Sequence, residues 1–206
     1  MEWLKKQHRS LWQFYREGFG EALLISAAAF LVICLLTFGI GIFFKSLPDT
    51  IMRYVQEMMQ LKDLVGEDGS IDLLALFGNN VRASAVSMLY GFIPFLYLTA
   101  LALGTNAVIL GVFAAYYVNH DISLLIYLAG ILPHGIFELT ALALAFAGGL
   151  LLCRRITQYA RYNTKGMMKP LMLNLLRVFI LHILPLLAVA AVVEVYVTPH
   201  VMALFM

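Results

Sequence analysis

Two ionisable side chains, His134 and Glu138, stand four residues apart in Pro133-His134-Gly135-Ile136-Phe137-Glu138, inside an otherwise apolar run from Ile122 to Cys153. At that spacing both side chains share one face of a continuous helix. Such a pair could relay a proton, bind a metal ion weakly, or simply satisfy itself. Charge at membrane depth is expensive and marks a functional candidate. Pro133 and Gly135 predict a break in the helix at this point, and the backbone groups it frees need protein or a wet cavity to satisfy them.

Few familiar chemistries fit around this pair. Metal catalysis needs about three protein ligands and an open position, and the chain has no HExxH. His182 and Glu194 are the candidates for a third ligand, both from a different span. No GxSxG, phosphate-binding loop or dinucleotide fingerprint occurs. The expectation is therefore no catalytic residue, no cofactor and no metal, with His134 and Glu138 in a buried polar core. Asn79, Asn80, Arg82, Asn106 and Glu194 are the other residues expected in it. Asparagines can hydrogen-bond across helices in a bilayer. Arg82 either snorkels to the interface or pairs with Glu138.

The elements that must position these groups are membrane helices. Of 206 residues, 62% are hydrophobic and only 13% charged, about half the charge of a soluble chain. The formal charge of +2 is small and says little about partners; nucleic acid is not expected among them. Cys34 and Cys153 lie in apolar spans without CxxC spacing and read as packing residues. The first apolar run, Ala22 to Phe44, is too long for a signal h-region and reads as a retained span. The expected fold is all-α: a single integral membrane domain over residues 1–206.

Residues 1–20 place Leu4, Leu11, Trp12, Tyr15 and Phe19 opposite Lys5, Lys6, Arg9 and Arg16. That pattern predicts an amphipathic helix in the headgroup region, or one folded back on the bundle. Residues 45–80 read as a polar loop, with Gly66-Glu67-Asp68-Gly69-Ser70 a turn and Ile51, Val55, Met58 and Met59 on one face of a short helix. A second span is expected from Arg82 to Leu103, then a turn at Gly104-Thr105-Asn106 and a short apolar piece from Ala107 to Val118. The broken run 122–153 follows, then a basic loop over 154–170 and a last span from Leu171 to Val195. That gives about five spans at roughly 20 residues each, with a re-entrant hairpin at 107–132 as the competitor. Lys/Arg bias places the N-terminus and the 154–170 loop in the cytoplasm and the 45–80 loop outside.

Several short signatures occur in a fixed order: Phe77-Gly78-Asn79-Asn80-Val81-Arg82, Gly104-Thr105-Asn106 leading to Gly111, Pro133-His134-Gly135-Ile136-Phe137-Glu138, Ala147-Gly148-Gly149, and Glu194 to Thr198-Pro199. Over roughly Leu73 to Pro199 the chain resembles the stage II sporulation protein M family. Ala107 departs from the pattern, standing where a glycine is common. The resemblance implies a multi-pass protein of the prokaryotic plasma membrane. It implies a non-catalytic scaffold, which in spore formers is associated with partners that degrade septal peptidoglycan. On that footing the expected partners are the lipid bilayer, peptidoglycan hydrolases or other membrane proteins, and a homo-oligomer is allowed. The competing function is a small transporter or permease component using His134 and Glu138 at mid-membrane depth.

Overall fold

The computed structural model describes residues 11–61, 72–162 and 168–205. They form the helices α1 (Gly20–Phe43), α2 (Ser46–Leu61), α3 (Leu73–Leu89), α4 (Leu98–Asn119), α5 (Leu124–Tyr162), α6 (Met168–Val178), α7 (Leu184–Tyr196) and α8 (Thr198–Met202). A π-turn, Tyr15–Phe19, leads into α1, and a second, Phe179–Ile183, joins α6 to α7. Among the described residues there is no strand. Four stretches are long and apolar enough to cross a membrane: α1, α4, α5, and α6 through α7. The protein is an all-α, multi-pass membrane bundle.

Contacts fix the direction of each helix. Cys34 Sγ donates to Ala107 O, Gly111 lies against Cys34 and Thr37, and Gly41 lies against Ala115. Residue numbers rise together along this seam, so α1 and α4 run the same way. Two helices of one hand in succession require the chain to return between them. The helix α3 makes that return: Met88 and Gly91, at and just past its end, lie against Gly148 and Gly149 of α5. Its 17 residues cover about 25 Å, and with Arg82, Asn79 and Asn80 it is the most polar of the crossing helices. Its start is capped by Asp72, whose Oδ1 accepts from the Ala75 N–H at 2.8 Å, as a helix N-terminus favours.

The most buried of the four apolar spans is α5, and the least is α1. Small residues make up much of the buried face of α5: Ala141, Ala145, Ala147, Gly148 and Gly149. Membrane helices associate through such close packing because lipid gives no hydrophobic drive between them. Leu144, Leu151 and Leu152 then meet Met88, Leu171, Leu175, Val178, Ile183 and Leu187 in the main core.

Several sequence expectations are corrected here. The turn after the second crossing lies at Tyr90–Tyr97, not at 104–106, so α3 begins within the expected polar loop and α4 is one 22-residue helix. Pro94 has no N–H to continue a helix, and Phe95 and Tyr97 take left-handed backbone (φ 69° and 47°). Thr157 of α5 holds that turn by accepting from the Phe95 N–H at 3.2 Å, with the Arg161 guanidinium 5.5 Å above the Phe95 ring. Thr105 and Asn106 stay helical because each bonds back to a carbonyl one turn earlier, Leu101 O and Ala102 O, both at 2.9 Å. At about 33 Å, α4 is long enough for a full crossing, which removes the re-entrant reading of 107–132.

The expected 45–80 loop contains α2 and the start of α3; its turn at 66–70 lies outside the described residues. Of the basic loop, Arg154, Arg155 and Arg161 belong to the last turns of α5, and Lys165 lies outside the described residues. The expected headgroup helix at the N-terminus is described only from residue 11. There Leu11, Phe14 and Phe19 are buried in the main core while Trp12 is exposed. This segment therefore turns its apolar side to protein, and residues 1–10 lie outside the described region.

The glycine seam carries a direct test. A side chain at Gly149 would strike Thr99 Oγ1 and Ser87 O, and one at Gly111 would strike Cys34 O, whereas Gly78 faces open space. Gly149→Val and Gly111→Val are expected to destabilise the purified protein by at least about 1–3 kcal/mol. Gly78→Ala is expected to be neutral or to stabilise by about 0.5–1 kcal/mol. Thermal unfolding in detergent compares them, and equal melting temperatures for the three would contradict the seam.

Candidate functional site

The side chains singled out by the sequence converge in part. His134 and Glu138 project from one face of α5, and Glu194 reaches them from the last turn of α7. One ligand atom from each lies within 4.8 Å of the others. His134 Nε2 is 3.9 Å from Glu194 Oε2, with the two side chains 13% and 20% exposed. Leu139, beside Glu138, packs against the same cluster of Leu103, Leu142 and Phe146 as Phe30 and Ile33, which lie halfway along α1. The group therefore sits in the middle of the bundle's height, where water is scarce and charge is costly.

The expected helix break is not in α5. Helical hydrogen bonding continues from Leu124 through Pro133 to Tyr162. A proline interior to a helix loses one hydrogen bond. In a bilayer, stopping the helix would free several more backbone groups without water to take them, so continuing through the proline is the cheaper course. The discontinuity lies opposite, at Val197 between α7 and α8, where Pro199 stands at the start of α8. Thr198 closes this joint. Its hydroxyl donates to Val193 O at 3.2 Å, a carbonyl that also takes the Val197 N–H at 2.9 Å. The same Oγ1 lies 3.1 Å from His134 Nδ1. With the hydroxyl proton directed to Val193, Thr198 Oγ1 is set to accept from Nδ1–H, and Nε2 is the ring nitrogen that faces Glu194.

The remaining expected members of the core are elsewhere. Arg82 is exposed, midway along α3, and so is not in the buried pairing with Glu138. Asn80 is buried and accepts from Asn79 Nδ2 at 3.4 Å, a weak contact between neighbours on one helix. Asn106 hydrogen-bonds within α4. His182, the other candidate third ligand, points instead to Tyr15, whose hydroxyl is 3.0 Å from its Nδ1. Each of these two residues lies in a π-turn, a local widening often found at functional positions. Sequence reasoning placed Tyr15 only in an amphipathic stripe. Nothing in the residue pattern distinguishes a π-turn from ordinary helix.

What the central group can do follows from its parts. One imidazole and two carboxyl groups can hold a cation or exchange a proton among themselves. No hydroxyl or thiol nucleophile is among the three. Replacing Thr198 by valine removes the bond that orients His134 and a second bond to Val193 O. The expected cost is about 0.5–2 kcal/mol, while Asn106→Ala, which touches only its own helix, is expected to change stability much less. Reversible unfolding in mixed micelles measures both, and equal effects would show that Thr198 does not tie α7 to α5.

Residues 24–199 match the family described as stage II sporulation protein M. No curated protein and no solved structure matches the chain. The match covers most of the sequence and takes in every helix that crosses the bundle. The chain belongs to the stage II sporulation protein M family.

Proposed function

We propose that this member of the stage II sporulation protein M family is a non-catalytic membrane scaffold that gathers envelope-remodelling partners, including proteins that degrade peptidoglycan. The observation that carries the reading is α2. It is a defined amphipathic helix held at one end of the bundle against α4, with Pro48 buried and Asp49 3.4 Å from His120. Its outer side presents Arg53, Tyr54, Gln56 and Glu57, all exposed. A helix fixed on a rigid base is a better docking element than a loop, because less order is lost on binding.

Charge supports an orientation that suits this role. Arg16, Arg154, Arg155, Arg161 and Lys169 collect at the end of the bundle remote from α2, while Asp49, Asp72 and Asp121 lie at the α2 end. By the positive-inside rule the N-terminus is cytoplasmic and α2 faces outward, on the side where the cell wall lies. The combined substitution Arg53→Ala, Tyr54→Ala, Gln56→Ala and Glu57→Ala is expected to leave the protein folded and monodisperse in mild detergent. It is also expected to lose the partners that co-purify with the native protein from its own membranes. Recovery of the same partners by both forms would remove α2 from the role, and recovery of none by the native form would remove the scaffold.

The grouping of His134, Glu138 and Glu194 favours a second reading, a small transporter or permease component with its site at mid-membrane depth. This reading requires flux in proteoliposomes that falls by at least about tenfold in His134→Ala and Glu138→Gln, as expected when intramembrane ionisable groups form the pathway. Flux that ignores both substitutions, or none across a panel of ions and small metabolites, would set it aside.

A further inference from the structure

We propose that His134, Glu138 and Glu194 form a binding site for a divalent transition-metal ion of the zinc type, which pins α7 to α5 at the joint with α8. Three observations carry this. First, the donor set is one imidazole and two carboxylates from two helices, with ligand atoms within 4.8 Å of one another. Tetrahedral ligands about 2.0–2.2 Å from zinc stand roughly 3.3–3.6 Å apart. The 3.9 Å separation of His134 Nε2 and Glu194 Oε2 therefore closes with a small rotation of a carboxylate.

Second, the imidazole is prepared for a metal. Thr198 Oγ1 lies 3.1 Å from Nδ1 and directs its own proton to Val193 O, so Nε2, which faces the carboxylate, is the nitrogen a neutral ring would offer to a metal. Metal-bound histidines are held in this way, the far nitrogen donating to an outer partner that fixes the ring and its tautomer. A self-sufficient His–Glu ion pair would instead close to a short charge-assisted hydrogen bond, about 2.7–2.9 Å. Here the two atoms face each other across a wider gap.

Third, the charge balances. Two carboxylates carry two formal negative charges into the middle of the bundle. A divalent ion cancels them where an uncompensated charge is most costly. The imidazole selects against magnesium and calcium, which take oxygen ligands, and in favour of zinc and its neighbours. The set offers three protein ligands, so a fourth position is left for water or for a group brought by a partner.

The probe is zinc chloride titrated into the full-length protein, stripped with a chelator and held in nanodiscs. Calorimetry should show one saturable site per chain, and zinc should raise the melting temperature. Magnesium at the same concentration should do neither. Glu138→Gln and Glu194→Gln, close in shape to the native side chains, should abolish the site. His120→Ala, at the exposed pair with Asp49, should leave it intact. Should either glutamine variant fail to fold, Thr198→Val retains all three ligands and is expected to weaken zinc about 10–100-fold by releasing the ring. No saturable zinc, zinc binding that survives both glutamine substitutions, or full affinity in Thr198→Val would each overturn the proposal. Binding is read without flux or partners, so its failure is separable from that of either functional reading.

Discussion

The bundle depends on one close approach, where Gly149 of α5 lies against Ser87 O and Thr99 Oγ1 while Gly91 lies against Gly149. Thr99 donates to Ser87 O at 2.9 Å across the same point. Three helix segments meet there: the end of α3, the start of α4 and the middle of α5. A side chain on either glycine would push the α3–α4 turn away from α5. In lipid, apolar surface gains little by leaving its surroundings, so contact distance and hydrogen bonds hold the helices. This seam places α3 as the return crossing, and that in turn allows α1 and α4 to run side by side in one direction. Glu138 and His134 lie about three and four turns before Gly149 near the same face of α5, so their position also follows from that arrangement.

A second constraint is that most polar groups inside the bundle, the buried Ser26 and Ser84 hydroxyls excepted, find partners close at hand. Thr37 donates to Ile33 O, Ser87 to Ala83 O, Thr105 to Leu101 O, Asn106 to Ala102 O and Thr140 to Ile136 O. Each is a bond to the carbonyl four residues earlier. Such bonds let short polar side chains sit in a membrane helix without ending it. A few links cross between helices instead: Cys34 to Ala107 O, Tyr127 to Leu110 O, Asn119 to Gly41 O, and His134 with Thr198. The first three join α1, α4 and α5, and the last joins α5 to the final span. The polar residues thus divide into those that serve their own helix and those that tie two together.

That division explains what could be read from the residues alone. The all-α membrane class, the family, the last span and the shared helix face of His134 and Glu138 were all legible, because they rest on long apolar runs and an unusual motif. Helix boundaries were not. Gly104-Thr105-Asn106 has turn composition, yet back-bonding keeps it helical, while Gly91 and Pro94 sit in a run whose hydrophobicity conceals a turn. Pro133 was given too much weight, since one missing hydrogen bond is a smaller loss than ending a helix in lipid. Glu194 was recognised only as one of two candidates. Choosing it over His182 required knowing that α7 packs antiparallel to α5 with its last turn level with Pro133, a register set by packing contacts far along the chain. Arg82 has no such partner region to reach, and its exposure follows from the face of α3 that turns to α5.

The motif around Pro133 also changes meaning once its neighbour is in place. His134, next to Pro133 in α5, meets Glu194 at one ring nitrogen and Thr198, next to Pro199 in α8, at the other. The rigid partner is α5, buried along most of its length, and the interrupted partner is the final span, which has the less buried apolar window. A ligand held by both therefore acts on the more adjustable of the two. Whatever cation occupies the group, proton or metal, its free energy is applied at Val197, where the helix axis already bends. A change there moves α8, which packs on α5 through Met202 and Gly130, and α8 lies at the same end of the bundle as α2. The polar centre and the surface that carries α2 are thus joined by one short helix, a physical route from occupancy of the polar centre to what the α2 end of the bundle presents.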